Sequence, residues 1–129
     1  CHMAEFEVPE LGGHSWTPVD AVCTQCHPPL DEATDFTADM ATLLALLQTV
    51  EGEGFDEDED GNIIPNGEVV IGIIQANGST SNSGIFSDVA AMAAWNYKTA
   101  LEDQSKGVHN PNYTKALLKN SIQALQNEQ

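Results

Sequence analysis

The residues best equipped for chemistry stand together in "VCTQCHPPL", positions 22–30, where Cys23 and Cys26 are three apart and His27 follows at once. Two thiols at i and i+3 can reach the two vinyl groups of one haem, and the adjoining imidazole is then carried beneath the iron as proximal ligand. The pattern reads as covalent attachment of haem c. Three other chemistries fit less well. A redox dithiol expects a thioredoxin-like βαβ surround, and none is visible. Structural zinc needs a second ligand pair, and the sequence has no second C-x-x-C. A disulfide between residues three apart closes too small a loop to stabilise much.

The other histidines are candidate iron ligands. His109 directly precedes Asn110-Pro111, a good N-cap followed by a residue suited to the first helical position, so His109 stands at the start of a rigid element. It reads as a distal axial ligand, against a helix-start histidine that bonds only backbone. His14, in "LGGHSW", follows two glycines that let the backbone approach a flat group, and it too reads as a ligand. Cys1-His2 has the form of the tail of another C-x-x-C-H motif, which makes His2 a fourth candidate ligand. Against that stand an expression-tag remnant, since "HM" is common in such scars, and a lipidated Cys1. Met40 reads as core filler ahead of an iron ligand.

A second metal is suggested more faintly. Asp56, Asp58 and Asp60, followed by Gly61, match the first half of a calcium loop, in which alternating carboxylates converge and glycine permits the turn. The closing acid of such a loop falls where Gly67 stands, with Glu68 one place late. A solvated acidic run is the commoner reading.

These residues need elements to hold them. Gly12-Gly13, Pro9 and Pro18 break any long helix over residues 1–22, so residues 1–34 read as an irregular haem-binding segment. In 35–50, Phe36, Met40, Leu43, Leu44 and Leu47 recur at spacings of three and four, which predicts a helix with one apolar face. Residues 51–84 read as an acidic loop or hairpin insert, with a small hairpin of Ile63-Ile64 and Val69–Ile74 around Pro65-Asn66-Gly67. Its end, 75–84, is a polar surface loop. Residues 85–127 read as two helices. The first runs from Ile85 to Gln104, with Val89, Met92, Ala93, Trp95 and Ala100 on a face whose small residues admit a flat partner, either a neighbouring helix or a porphyrin. The second begins after His109 and carries a stripe of Tyr113, Ala116, Leu117, Ile122 and Leu125. The expected fold class is mainly α, a few helices packed around covalently bound haem c, with long irregular loops and room for one small β-hairpin.

Composition narrows the partners. Twenty acids face four lysines and no arginine, a formal net charge of -16, and residues 1–97 hold no Lys or Arg. Such a surface repels phosphate backbones and anionic lipids, so nucleic acid is not expected. No apolar run of about 18 residues is present to span a bilayer. At 6% aromatics the chain is short of large core residues, a deficit that haem would offset.

The stretches "CHMAEF", "LGGHSW" and "VCTQCH", followed by "AAWNYKTALEDQSKGVHNPNYTKALLKNSIQAL", together resemble the C-terminal end of multihaem c-type cytochromes, including a group related to the ammonia-forming nitrite reductases. The likeness covers residues 1–27 and about 85–127, not the acidic middle. It implies a proximal histidine for each haem from its own motif and, for most haems, a second histidine from elsewhere in the chain. Carried over, His109 pairs with the haem of His2, His14 with a haem further upstream, and the haem on Cys23, Cys26 and His27 takes its sixth ligand from outside this sequence. The first cysteine of the Cys1-His2 motif is missing, which leaves a self-contained monohaem domain or, as expected here, the end of a longer haem chain.

The expected function is electron transport by bis-histidine haem c in the periplasm or outside the cell. Redox proteins, neighbouring haem-bearing segments, or further copies in an oligomer or filament are the expected partners. The alternative is the C-terminal part of a multihaem reductase of nitrogen or sulfur oxyanions, with its catalytic haem upstream. A zinc- or calcium-stabilised binding module without haem is a third reading.

Overall fold

A computed structural model describes residues 35–103, 106–107 and 110–128, and over these the fold is mixed: three helices and one two-stranded antiparallel sheet. The elements run α1 (Phe36–Leu47), β1 (Glu51–Glu57), β2 (Ile63–Ile71), α2 (Asp88–Glu102) and α3 (Pro111–Glu128).

Helix α1 forms where the apolar spacing places it. Leu43 and Leu47 are fully buried and Met40 nearly so, with Phe36 and Leu44 packed at the margin. Helix α2 starts later than the alanine-rich run suggests, because Ser87 accepts a hydrogen bond from the Ala90 N–H at 3.1 Å and so fixes the first turn at Asp88. The same hydroxyl donates to Glu128 at 2.9 Å, tying the start of α2 to the end of α3. Helix α3 starts at Pro111 as expected, with the Asn110 side chain accepting from the Tyr113 N–H at 3.2 Å.

The three helices share one core. Ala90, Ala93, Ala94, Tyr97 and Ala100 face inward from α2, and Leu118, Ser121 and Leu125 from α3. Alanines at that spacing let helix axes approach closely, and Leu118 and Leu125 fill the space between them. Two expected faces are therefore corrected. Met92 and Trp95 point to solvent, 68% and 75% exposed, because the alanine stripe, not the large residues, meets the neighbouring helices. On α3 the inward stripe runs through Leu118, while Tyr113 and Ala116 are exposed.

The hairpin is longer than expected and turns elsewhere. β2 runs unbroken from Ile63 through Pro65-Asn66-Gly67 to Ile71, and its partner is the acidic stretch Glu51–Glu57. The turn lies at 58–62. Asn66-Gly67-Glu68 instead form a bulge: Phe55 faces Pro65 and Glu53 faces Val69, so Gly54 alone opposes these three residues. Gly67 supplies the positive φ of +79° there, and its N–H reaches the Glu53 carboxylate at 3.2 Å. On its other side β1 pairs with Ile85 through Glu53, by hydrogen bonds of 2.8 and 2.7 Å. Residues 75–84 form the polar loop expected, with Asn77 Oδ1 accepting from the N–H groups of Ser79 and Thr80.

Gly72 joins the hairpin to the helices. Its φ is +77°, its N–H donates to Val50 O at 2.8 Å, and a Cβ there would stand 2.7 Å from Gln48 O. Gly72→Ala is therefore expected to cost about 2–3 kcal/mol of stability through left-handed strain and the backbone clash. A urea unfolding midpoint equal to wild type would contradict this.

Candidate functional site

Cys23, Cys26 and His27, with Cys1, His2, His14 and His109, lie outside the described residues. The described residues supply the frame on either side of them.

The chain leaves residue 34 at Asp35, whose position is fixed by charge. Its carboxylate lies 2.8 Å from Lys115 Nζ and 3.9 Å from Lys119 Nζ on α3. The hydrogen bond and charge of Lys115 hold the Asp35 carboxyl below the ordinary carboxylate range, and Asp35 in turn raises Lys115. One turn on, Asp39 is 9% exposed; its Oδ1 accepts from Lys119 Nζ at 3.2 Å, while Oδ2 is buried with no hydrogen-bond partner. Two lysines of α3 thus hold the first turn of α1 by ion pairs with Asp35 and Asp39.

The described residues before and after 108–109 make backbone hydrogen bonds of their own. The Asn110 N–H donates to Gly107 O at 3.1 Å, and the Thr114 N–H to Asn110 O at 3.0 Å. Gly107 is buried at a φ of +79°, where a Cβ would sit 2.8 Å from Thr114 Cβ. Gly107 thus lies close to Thr114 of α3, and the Asn110 side chain caps that helix.

Beside these anchors, α2 and α3 leave an open, mainly apolar groove of about 370 Å³, lined by Val89, Met92, Ala93, Leu117 and Ala124 together with Asn96, Asn120 and Ser121. Two of its polar side chains already satisfy each other. Asn96 Nδ2 donates to Ser121 Oγ at 3.0 Å, and Ser121 Oγ donates to Leu117 O at 2.8 Å. Trp95, one turn from Met92, lines the next groove with Ile73, Phe86, Ala94 and Lys98. Small residues and an apolar floor, with Asn96 and Ser121 bonded to each other, suit a flat apolar group or an apolar chain segment. The sequence reading named Val89, Met92 and Ala93 for a flat partner, but put Trp95, which lines the next groove, and Ala100, which is buried in the core, on the same face. The stripe Ala90, Ala93, Ala94, Tyr97 and Ala100, spaced by three, one, three and three, was the signal for the core-facing side.

Of the acidic triplet, Asp56 lies in β1 and Asp58 and Asp60 in the hairpin turn. Asp58 Oδ1 accepts from the N–H groups of Asp60 and Asn62 at 2.9 and 2.8 Å, and Oδ2 accepts from Asn62 Nδ2 at 2.9 Å. The Asn62 bonds lower the Asp58 carboxyl pKa. Asp56 Oδ1 instead faces Asn66 Nδ2 at 3.4 Å. Among the described residues no group of three or more histidines, cysteines or acids is placed to hold a metal ion. Asp58→Ala is expected to speed amide exchange across 60–64, whereas adding or chelating calcium should leave wild-type exchange there unchanged. Protection that appears only with calcium would show that the three carboxylates do converge on an ion.

Comparison with protein families, with curated proteins and with solved structures finds no match to this chain. Among the described residues no helix is long and apolar enough to cross a membrane.

Proposed function

We propose that this chain transfers electrons through bis-histidine haem c, as part of a multihaem c-type chain. The observation that carries the reading is Cys23-Thr24-Gln25-Cys26-His27, a spacing that serves covalent haem better than zinc, a dithiol or a disulfide.

When bound, haem would supply a one-electron couple. The chain's own groups do the rest. Cys23 and Cys26 would hold the porphyrin and His27 would bind the iron. His109 and His14 offer imidazoles to this or neighbouring haems, and His2 belongs to a second attachment motif. The Lys115–Asp35 and Lys119–Asp39 pairs favour this role by fixing the end of the haem-binding segment against α3. The net charge of -16 selects cationic redox partners, steering them at a rate that falls with salt. Haem c is attached outside the cytoplasm in bacteria and archaea, which places the proposed protein in the periplasm or beyond the cell.

His109→Met tests the ligand assignment. It is expected to change the visible spectrum and raise the potential of one haem by a sizeable part of the roughly 0.8 V range that axial ligands span. An unaltered spectrum and potential would make His109 a structural residue. The reductase alternative predicts a high-spin ferric component from iron with an open position, whereas a carrier gives low-spin iron alone.

A further inference from the structure

We propose that Asn66-Gly67, in the bulge of the hairpin, is a self-modification site. The Gly67 backbone nitrogen closes on the Asn66 side-chain amide, with Glu53 as the base, and leaves an aspartyl or β-aspartyl residue at position 66. Every group involved lies in the hairpin, so the inference stands apart from the haem proposal.

This chemistry needs a base at a backbone N–H, a donor at the side-chain carbonyl and room for a small ring. All three are present. The Gly67 N–H donates to Glu53 Oε1 at 3.2 Å, within reach of a general base. It finds a side chain there because the bulge sets Gly54 alone against Asn66, Gly67 and Glu68. Asn66 Oδ1 accepts from the Glu68 N–H at 3.0 Å. That bond draws the side-chain carbonyl back over the Gly67 peptide unit and places a donor at the oxygen that gains charge when the nitrogen attacks. Gly67 is exposed, and nothing stands within 4 Å of where a Cβ would be.

The step balances with water as the sole co-reactant. A bond forms between Gly67 N and Asn66 Cγ while Glu53 takes the amide proton. The Cγ–Nδ2 bond then breaks, and the proton passes through solvent to the leaving nitrogen, which departs as ammonia. Water opens the resulting succinimide. Opening at Cγ gives aspartyl, and opening at the main-chain carbonyl gives β-aspartyl. Either product adds one negative charge to the formal -16. In the aspartyl product a carboxylate stands where Nδ2 now faces Asp56 Oδ1 at 3.4 Å, and the like charges repel.

The second Asn-Gly of the chain is a natural control. Asn77 Oδ1 accepts from both Ser79 and Thr80 N–H groups at 2.9 Å, and Nδ2 donates to Thr80 Oγ at 2.9 Å. The Gly78 N–H donates to the Gln75 carbonyl at 2.9 Å, a neutral acceptor that takes no proton. Gly78 is also buried, its Cβ position 3.3 Å from Leu44 Cδ2. The fold therefore holds Asn77 and primes Asn66.

The full chain as purified is incubated at near-neutral pH, both folded and in guanidinium chloride, and peptide mapping by mass spectrometry follows amide loss at 66 and 77 separately. Folding is expected to speed Asn66 and slow Asn77, so that native Asn66 converts about tenfold faster than Asn77 or more. Glu53→Gln keeps an acceptor for the Gly67 N–H but cannot take its proton, and the backbone bonds of residue 53 to Ile85 do not depend on its side chain. It is expected to slow native Asn66 by about tenfold or more and leave Asn77 unchanged. If that variant unfolded, Asn77 would rise to its unfolded rate, and the folded-against-unfolded comparison on the wild-type chain would decide. Asn66 slower in the folded than in the unfolded chain, native Asn66 no faster than Asn77, or an unaltered Asn66 rate in folded Glu53→Gln would each overturn the proposal.

Discussion

Replacing Cys23 and Cys26 together with alanine is expected to remove covalent haem from this stretch entirely. Both thioether bonds go at once, so haem that remained on His27 would be held by coordination alone and lost on denaturation. The variant's denatured mass should fall short of wild type by one haem beyond the two sulfur atoms. The single variant Cys26→Ala leaves Cys23 able to form one bond, and partial attachment with an altered haemochrome band is its expected result. If the double variant carried as much covalent haem as wild type, the attachment would have to lie elsewhere and the reading of Cys23–His27 would fail. Loss of bound zinc with no change in colour would move the motif to zinc chemistry.

Leu118→Ala should have the largest effect on stability among the described residues. Leu118 is fully buried where α3 meets the core, and the alanines of α2 have no spare volume to fill the hole. Truncating a leucine in a close-packed site costs about 3–4 kcal/mol when the surroundings collapse only in part. That is a large share of the roughly 5–15 kcal/mol that holds an ordinary domain together. Unfolding by urea, followed by circular dichroism, should show a much lower midpoint with a similar slope. A loss below about 1 kcal/mol would mean that the helices close over the vacated space, contrary to the packing described.

What the sequence disclosed, and what it hid, follows from the range of the interactions. Helix α1 was legible because Phe36, Met40, Leu43 and Leu47 carry their periodicity locally. The start of α3 was legible because Asn110 and Pro111 are a local cap. The hairpin was half legible: β2 showed its isoleucines and valines, but β1, with the sequence EGEGFDE, has no strand pattern of its own. It pairs because Glu53 bonds Ile85 and because Gly52 lies flat against Phe86, where a Cβ would stand 2.5 Å from the ring. Those are contacts more than thirty residues away, invisible to a window read along the chain.

The turn was misplaced for a different reason. Two stretches, Asp60-Gly61-Asn62 and Pro65-Asn66-Gly67, both carry turn chemistry, and only Asp58 capping its own loop decides between them. The face of α2 was misjudged by weighting Met92 and Trp95 for size. Helix packing favoured the alanines, since Ala90, Ala93 and Ala94 let α2 lie close to its neighbours. The proposed site shows the same division. The attachment proposed for Cys23, Cys26 and His27 can be read from the sequence because the three residues stand within one short window. Any pairing of His109, His14 and His2 with particular irons would depend on how distant segments meet, and no short window contains it.

The most direct test of the central proposal is the intact mass of the purified full chain under denaturing conditions, read beside a pyridine haemochrome spectrum. The expected result is a chain heavier than its polypeptide by one covalent haem on Cys23 and Cys26, with a c-type haemochrome. An unmodified polypeptide mass with no haemochrome, from cells competent to attach haem c, would contradict it.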